Sequence, residues 1–423
     1  MMADREKKTG LYIHIPFCVK KCNYCAFLSF PAEESPHAEY TKALINELIM
    51  RSGAALAETG GPSDAGAQKI SVDTVYIGGG TPSVLDVSQM SWIMKTVRKY
   101  YDLAPDAEVT IEANPGTLGR KDAVTRAKLT AYRSMGINRL SMGVQSMDND
   151  RLHFMGRIHT PGDVERDFRL AREQGFENIS LDLIFSVPGE TTRDALSDAE
   201  KIIELGPEHI SCYSLQMEEG TPFYEMAERG EITEVPDEED RETFHRICAL
   251  MREAGYEHYE ISNFAREGYR ARHNSLYWNM DDYIGCGLGA SGFVDGVRYR
   301  NTADPDTYLD YYGTGETPEK PAPKDMTGYP CEEIHVNSEF DSISEAVFTG
   351  LRRKEGVTYE AALAAGGFRG SVDAEAEFWK VFGDAEPEAK DYADRGFLVI
   401  GRSGMRLTEK GIDISNRIMS LFV

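Results

Sequence analysis

With 423 residues and 41% hydrophobic side chains, the chain is long enough to bury one large core and a smaller second one. Its 70 acidic residues outnumber 46 basic ones, and the net charge of −24 disfavours binding to a phosphate backbone. No run approaches the about 20 apolar residues that span a bilayer, and residues 1–8 lack the apolar stretch of a signal peptide. These properties predict a cytoplasmic protein.

Short apolar strands alternate with helical patterns as far as residue 255. The first strand, Leu11–Ile15, precedes a loop with three cysteines, and residues 37–51 then form a helix. Five further strands are predicted at Val72–Ile77, Glu108–Ala113, Asn138–Val144, Asn178–Phe185 and His209–Leu215. The predicted helices between and after them are Lys121–Ser134, Gly162–Gln174, Asp194–Leu205 and Arg241–Ala254. This alternation predicts an α/β fold with a parallel sheet in a full or partial barrel, with functional residues at the carboxyl ends of the strands.

The chain is predicted to divide into a barrel at 1–300, a connector rich in Pro, Asp and Gly at 301–340, and a C-terminal module at 341–423. Within the barrel, residues 53–68 read as an exposed loop. In the module, short helices and two strands at Phe397–Ile400 and Met405–Leu407 predict a small α+β, winged-helix-like domain. The module has no basic recognition helix, so nucleic acid is not a predicted partner.

Cys18, Cys22 and Cys25 are spaced C-x3-C-x2-C in the loop after the first strand. Three thiolates are one fewer than the four that usually hold an iron–sulfur cluster, so a 4Fe–4S cluster bound here would keep one iron open to an outside ligand. The spacing alone leaves a disulfide or a zinc site open, although no fourth Cys or His follows at a finger-like distance. The other cysteines are scattered and are predicted to be buried: Cys212, Cys248, Cys286 and Cys331.

Glycines and polar residues stand at or near the ends of the predicted strands. The run Gly78–Pro82 allows the backbone to approach a ligand closely, with a tight turn as the alternative role. Glu112 and Gln145 end two strands, and Asp182 lies inside an apolar one, where a charge is costly unless it is paired or functional. Arg157 suits a bidentate contact with a carboxylate.

The cysteine spacing and residues 12–18, Tyr-Ile-His-Ile-Pro-Phe-Cys, resemble the radical S-adenosylmethionine enzymes, and within them the oxygen-independent coproporphyrinogen III oxidase-like branch. The resemblance extends from Tyr12 to the C-terminal module and implies a partial, six-stranded barrel. It also implies a 4Fe–4S cluster on the three cysteines, with S-adenosylmethionine on the open iron. The positions that match the S-adenosylmethionine site of the branch are Tyr12, Tyr24, Gly79, Gly80, Thr81, Glu112, Gln145, Arg157 and Asp182.

Two features distinguish members of this branch. The coproporphyrinogen III dehydrogenases resemble C-x3-C-x2-C-x-C, whereas this chain has Phe27 at the final position. Residues 273–278, His-Asn-Ser-Leu-Tyr-Trp, resemble the motif of HemW-type heme chaperones, which bind heme and hand it to acceptor proteins. The resemblance therefore implies a heme chaperone. Oxidative decarboxylation of coproporphyrinogen III to protoporphyrinogen IX is the alternative, and another radical reaction on heme is a third.

Heme contact is predicted at His273, Tyr277 and Trp278, because imidazole is a common axial ligand and the aromatic faces suit a porphyrin. Without the resemblance, a structural histidine and core aromatics would be the favoured interpretation. Cys286, in a glycine-rich turn predicted at 285–290, is either a second candidate ligand or a packing residue. The predicted partners are heme, acceptor apoproteins and an electron donor, with membrane contact only through an acceptor.

Overall fold

The computed structural model of the protein describes residues 7–53, 69–313, 326, 328–368 and 373–423. Apart from residue 53, the predicted exposed loop at 53–68 lies outside these ranges, and so does the Pro-rich run 316–324 of the predicted connector. Among the helices in the described ranges, none combines the length and hydrophobicity that a membrane crossing requires.

A twelve-stranded sheet holds the largest hydrophobic core of the described residues. Seven neighbouring strands run parallel. In sheet order they are Asp282–Cys286, Thr9–Ile15, Ser71–Gly79, Asp102–Ala113, Arg139–Gln145, Ile179–Phe185 and His209–Ser214. Antiparallel strands extend the first edge with Ser291–Val294, Val297–Asn301 and Cys331–Val336, and the last edge with Asn263–Ala265 and Glu257–Glu260.

Helices connect the parallel strands, and several begin with a capping box that satisfies free N–H groups of the first turn. Thr160 with Asp163 and Thr191 with Asp194 are two examples. The longer helices are His37–Arg51, Val87–Tyr100, Asp122–Ser134, Pro161–Glu173, Thr192–Leu205 and Asp237–Glu253. The shorter ones are Asn149–Phe154, Pro222–Glu228, Arg272–Trp278 and Pro305–Gly313, and 3-10 turns occur at Ala32–Glu34 and Pro82–Val84.

The two ends of the parallel run do not pair with each other, so the barrel is open. The predicted α/β partial barrel is therefore confirmed, and all six predicted strands belong to it. The turn predicted at 285–290 is wrong at its start, because Gly285 and Cys286 belong to a seventh parallel strand. A side chain at position 285 would overlap the backbone of Ser291 on the neighbouring strand, which explains the glycine. The turn begins only at Gly287, which has a φ of 108°.

The predicted connector 301–340 is not irregular throughout, because it contains the helix Pro305–Gly313 and the strand Cys331–Val336. Tyr308 and Tyr312 lie one helical turn apart and are both buried in the barrel core. The hydroxyl of Tyr308 donates to Glu47 Oε2 at 2.7 Å. The described part of the connector therefore packs with the barrel.

The C-terminal module has a hydrophobic core of its own. Its three-stranded sheet has the order Val357–Thr358, Gly404–Leu407, Leu398–Gly401, and the last two form the predicted hairpin. Its helices are Glu339–Leu351, Tyr359–Ala365, Ala374–Val381, Glu386–Asp394, Glu409–Ile412 and Ser415–Met419, followed by a 3-10 turn at Ser420–Phe422. Helices around a small antiparallel sheet match the predicted α+β, winged-helix-like module.

Candidate cluster and ligand site

The cysteine loop is fixed at its ends and in its middle. Phe17–Cys18 pairs in parallel with Phe30–Pro31, which joins the two ends of the loop. Asn23 attaches the middle of the loop to the end of the helix Asn149–Phe154, because its backbone N–H donates to Met155 O at 3.0 Å and its Nδ2 to Phe154 O at 2.8 Å. These contacts hold the loop over the carboxyl ends of the parallel strands.

The three predicted thiols are free and line a single cavity of about 720 Å³. Thr81 Oγ1 donates to Cys18 Sγ at 3.5 Å, and Arg157 Nη1 donates to Cys22 Sγ at 3.4 Å. Burial raises the pKa of the Cys18 and Cys25 thiols, so in the absence of a bound cation they are protonated at neutral pH. Coordination to a metal deprotonates a thiol outright.

The donor set fits a 4Fe–4S cluster better than a single ion. In the described residues, no group of three or more His, Cys, Asp or Glu side chains is placed to hold one metal ion. A cubane takes one thiolate at each of several separate corners, so Cys18, Cys22 and Cys25 need only face a shared space, as they do here. The hydroxyl of Thr81 at Cys18 and the guanidinium of Arg157 at Cys22 both stabilise a negatively charged sulfur, as cluster thiolates require.

Most of the predicted S-adenosylmethionine positions line the same cavity as the cysteines. Eight of the nine do so: Tyr24, Gly79, Gly80, Thr81, Glu112, Gln145, Arg157 and Asp182. Gly79 has a φ of 110°, and a side chain there would overlap the imidazole of His14. The glycine run thus brings the backbone to the edge of the cavity.

Glu112 is a partly buried carboxyl with two hydrogen-bond donors. The Tyr76 hydroxyl donates to Glu112 Oε1 at 2.6 Å, and the Gly79 N–H donates to Oε2 at 3.0 Å. Burial nevertheless raises the pKa of Glu112 to about 7. A cationic group in the cavity would favour the ionised form, so this carboxyl suits an ammonium or sulfonium ligand.

Two charged residues that line the cavity are Asp182, which is partly buried, and Arg139, which is buried. Burial raises the pKa of Asp182 to about 6, opposed by a hydrogen bond from Ser211 and by the charge of Arg139. Arg139 is 2% exposed, and its Nε has no hydrogen-bond partner among the described residues. The sequence prediction does not include Arg139. An arginine within an apolar strand is nevertheless as costly to bury as an aspartate, which is the cost that identifies Asp182.

Arg157 and Gln145 complete the wall beneath the cysteine loop. Arg157 Nη2 donates to Asn114 Oδ1 at 2.6 Å and also to the carbonyl of Gly143. Gln145 has a φ of 69°, which is uncommon for a residue with a side chain, and its buried Oε1 accepts no hydrogen bond from the described residues. Such a strained residue with an unsatisfied acceptor is typical of a ligand site.

Tyr12 does not line the cluster cavity but a second, neighbouring cavity of about 550 Å³. Its hydroxyl is 2.9 Å from His14 Nδ1, and the other ring nitrogen of that histidine is 3.2 Å from Leu28 O. Phe27, with 72% of its surface exposed, lies at both cavities. Phe27, the residue that departs from the dehydrogenase pattern, therefore lies between the two cavities.

The second cavity, called the aromatic cavity below, lies between the barrel and the first helix of the C-terminal module. Tyr277 and Trp278 line it, as do Tyr283 and Phe293 from the barrel and Phe348 from the module. The indole Nε1 of Trp278 is buried without a hydrogen-bond partner among the described residues. A mostly apolar cleft with a few polar groups is typical of a ligand pocket of this size.

His273 does not line either cavity. It is 1% exposed, and its two ring nitrogens lie 2.7 Å from Thr74 Oγ1 and 2.9 Å from the Tyr277 hydroxyl. Its ring stacks on that of Tyr76 at 5.2 Å, and burial lowers its pKa to about 3. In this geometry His273 positions Tyr277 and has no nitrogen free for an iron.

Cys286, the second candidate heme ligand, lines neither of the two cavities. It is fully buried in the seventh parallel strand, and burial raises the pKa of its thiol well above the ordinary value. The packing alternative is therefore the one that the structure favours.

Comparisons with known proteins agree with this geometry. The family model of the radical SAM superfamily matches residues 12–202, which include the cysteine loop and the strand ends described above. The protein named heme chaperone HemW from Bacillus subtilis is 34% identical and covers 97% of this chain and 98% of its own length. The Escherichia coli protein of the same name is 40% identical over 69% of this chain and 73% of its own length.

Among solved structures, the coproporphyrinogen III oxidase HemN from Escherichia coli has a TM-score of 0.77 at 22% identity. The match covers 99% of this chain and 90% of that one, and at this identity it establishes the fold alone. Similarity along nearly the whole Bacillus subtilis relative, together with the match across the cysteine loop, shows that this chain belongs to the HemW family of the radical S-adenosylmethionine superfamily.

Proposed function

We propose that the protein is a heme chaperone that binds heme in the aromatic cavity and transfers it to acceptor proteins. Relatives along the whole chain bear that name. The observation that carries the proposal is the aromatic cavity itself, in which Tyr277 and Trp278 lie beside the cluster site. Flat aromatic faces bind a porphyrin by stacking and by burial of apolar surface.

The cluster cavity would hold the resident cofactors of the protein. Cys18, Cys22 and Cys25 would ligate a 4Fe–4S cluster, and the eight strand-end and loop residues named above would surround S-adenosylmethionine. When bound, this pair supplies one-electron chemistry, in a regulatory, redox or radical-forming role. The protein's own part is to orient the ligand through Arg157 and Gln145 and to place the Glu112 carboxyl beside its cationic groups.

The proposed partners are heme, acceptor apoproteins and a one-electron donor for the cluster, with membrane contact only through an acceptor. Nucleic acid is not among them, because the net charge of −24 opposes phosphate binding. We also propose that the protein acts in the cytoplasm. All seven cysteines are free thiols, as is usual in a reducing compartment.

Heme titration of the purified protein, followed by absorbance, tests the proposal directly. We expect saturable binding of about one heme per chain, weakened roughly 10- to 100-fold in Trp278→Ala because a buried aromatic surface is lost. Trp92→Ala is the matched control, since Trp92 is 58% exposed on the helix Val87–Tyr100 and lines neither of the two cavities. Equal binding by all three proteins would remove the aromatic cavity as the heme site.

The alternative function, oxidative decarboxylation of coproporphyrinogen III, is tested in the same preparation. The cluster-loaded protein is incubated anaerobically with S-adenosylmethionine, a strong reductant and coproporphyrinogen III, and mass spectrometry follows loss of two carboxyl groups. We expect no decarboxylation, because Phe27 replaces the additional cysteine of the dehydrogenases. Product formed over multiple turnovers would replace the chaperone proposal with the enzyme.

A further inference from the structure

Among the described residues, one Lys or Arg side chain lines the aromatic cavity, that of Arg298 on the strand Val297–Asn301. Heme is a flat apolar ring with two propionate groups, and each propionate loses hydration when the ring enters an apolar cleft. A guanidinium is the side chain best matched to a carboxylate, because its planar N–H groups donate in parallel. Arg298 also packs over the ring of Phe293 at 4.5 Å, which holds its planar group against the aromatic wall.

Arg298 is already engaged by a carboxylate of the protein itself. Its Nε donates to Glu345 Oε1 at 2.5 Å and its Nη2 to Glu345 Oε2 at 2.7 Å. Glu345 lies in the first helix of the C-terminal module and lines the same cavity. The bidentate pair therefore joins the barrel to the module across the cavity.

From this geometry we propose that Arg298 binds a heme propionate and that Glu345 competes with the propionate for it. The inference rests on the proposed heme site and adds to it a ligand group and a built-in competitor. On binding, one carboxylate replaces another on the same guanidinium fork, so Arg298 stays paired while Glu345 loses its cation.

Glu345 has a second hydrogen-bond partner, which stabilises its carboxylate when Arg298 leaves it. Asn337 Nδ2 donates to Glu345 Oε2 at 2.8 Å, so the carboxylate keeps a hydrogen bond when Arg298 turns away. The Arg298 side chain is 33% exposed and can be reached from the cavity. Before binding, the Glu345 charge repels the propionates, and heme release restores the internal pair.

The exchange affects one contact among several between barrel and module. Arg353 Nη1 donates to Asn279 Oδ1 at 2.7 Å, and the Arg352 guanidinium packs over the Trp278 ring at 4.5 Å. Heme binding would loosen the module at Glu345 while these contacts keep it attached. Competition between Glu345 and the propionate thus limits the affinity for heme, which the proposed function requires the protein to release to an acceptor.

Hemin and its dimethyl ester, in which both propionates are neutral, are titrated against wild type, Arg298→Ala and Glu345→Gln. Arg298→Ala should weaken hemin binding about tenfold and leave ester binding within about twofold, as the loss of a charge-assisted hydrogen bond predicts. Glu345→Gln should tighten hemin binding about three- to tenfold, because the competing charge is gone while the side-chain shape remains. Arg300→Ala is the matched control, since Arg300 lies on the same strand and pairs with Glu333 outside the cavity.

Each of the other possible results would refute one part of the proposal. If Arg298→Ala weakens hemin and ester equally, Arg298 only shapes the cavity. Unchanged or weaker hemin binding by Glu345→Gln would refute the competition. If wild type binds neither hemin nor the ester, the proposed function fails with the inference, whereas binding by wild type without the Arg298 effect leaves the proposed function standing.

Discussion

At the scale of single residues, the cluster cavity concentrates charges that burial makes costly. Glu112 and Asp182 both have raised pKa values, and the guanidinium of Arg139 opposes the rise in each. The buried Nε of Arg139 has no hydrogen-bond partner among the described residues, so the cost of its burial is not offset there. A cavity with two weakened acids and one buried cation is suited to a ligand that brings both a positive and a negative group.

The Glu112 pKa predicts a pH dependence of folding stability. Because the folded-state pKa of about 7 exceeds the ordinary 4.5, the folded chain keeps a proton that the unfolded chain releases between these values. The free energy of unfolding contributed by this group is therefore present below pH 4.5 and is lost as the pH rises to about 7.

Urea unfolding between pH 5 and 7.5 measures this contribution. Over this range the free energy of unfolding of the wild type should fall by about 2 to 3 kcal/mol more than that of Glu112→Gln, because the glutamine has no proton to release. Comparing the slopes removes the contribution of titrating groups that do not interact with Glu112. Parallel pH profiles of the two proteins would contradict the raised pKa.

His273 is expected to support the heme site without binding the iron. His273→Ala removes the hydrogen bonds to Thr74 and Tyr277, so it should lower stability by about 1 to 3 kcal/mol and weaken heme binding. The absorption maximum of the bound heme should stay at its wild-type position, because the axial ligand is unchanged. Tyr277→Phe, which removes one of the two bonds, is the control. A shifted maximum in His273→Ala alone would make His273 the ligand after all.

At the scale of secondary-structure elements, the carboxyl ends of the parallel strands bend where the cavity requires it. Gly79 and Gln145 both have positive φ values at the ends of their strands. Each turn aims the following backbone or the side chain towards the cavity.

Gly79→Ala tests this bend. A methyl group there would need a strained φ and would overlap the imidazole of His14, which is held at both ring nitrogens. We expect a loss of about 2 to 4 kcal/mol in the free energy of unfolding. Gly189→Ala is the control, because it has a φ of 81° but no atom within 4 Å of the added carbon. Gly189→Ala should lower the free energy of unfolding by about 1 kcal/mol. An equal decrease in the two variants would show that the close approach of position 79 to His14 has no effect on stability.

The division of the chain into units at 1–300, 301–340 and 341–423 remains a proposal. Two observations refine it. The C-terminal module has a core separate from that of the barrel, and the described part of the connector packs with the barrel through Tyr308 and Tyr312. We therefore propose that the functional boundary lies near residue 338, where the first helix of the module begins.

At the scale of the whole molecule, two cavities adjoin without merging. The cluster cavity lies inside the barrel, and the aromatic cavity lies between barrel and module. The exposed ring of Phe27 borders both. Tyr76 of the cluster cavity stacks on Tyr12 of the aromatic cavity, with ring centroids 6.3 Å apart, and donates to Glu112. The two cavities therefore leave room for the proposed cofactors and the proposed heme at the same time.

Cys22→Ala should separate the two sites. It should reduce bound iron from about four per chain to near zero, because two thiolates do not hold the cluster. Heme affinity should change less than about twofold, since Cys22 lies outside the aromatic cavity. Iron analysis and heme titration of the same preparation measure both, with Cys331→Ala as the control that keeps its iron. Loss of heme binding together with the iron would show one shared site.

Only the family resemblance implied that the barrel is partial rather than full. The sequence by itself determined the alternation of strands and helices and the cysteine loop. These follow from local patterns: apolar runs of strand length, helix caps and a spacing of thiols within one loop. The strand-end positions were predictable for the same reason, because parallel strands bring their carboxyl ends to one edge. Eight of the nine predicted ligand positions meet there.

Only the tertiary structure decided which side chains face which cavity. Tyr12 pairs with Tyr76, a residue of the cluster cavity, yet Tyr12 itself lines the aromatic cavity. His273 is enclosed between Thr74 and Tyr277. Arg298 and Glu345 are 47 residues apart and meet across the cavity. Contacts of this kind depend on how the module docks on the barrel, and a local pattern carries no information about partners distant in sequence.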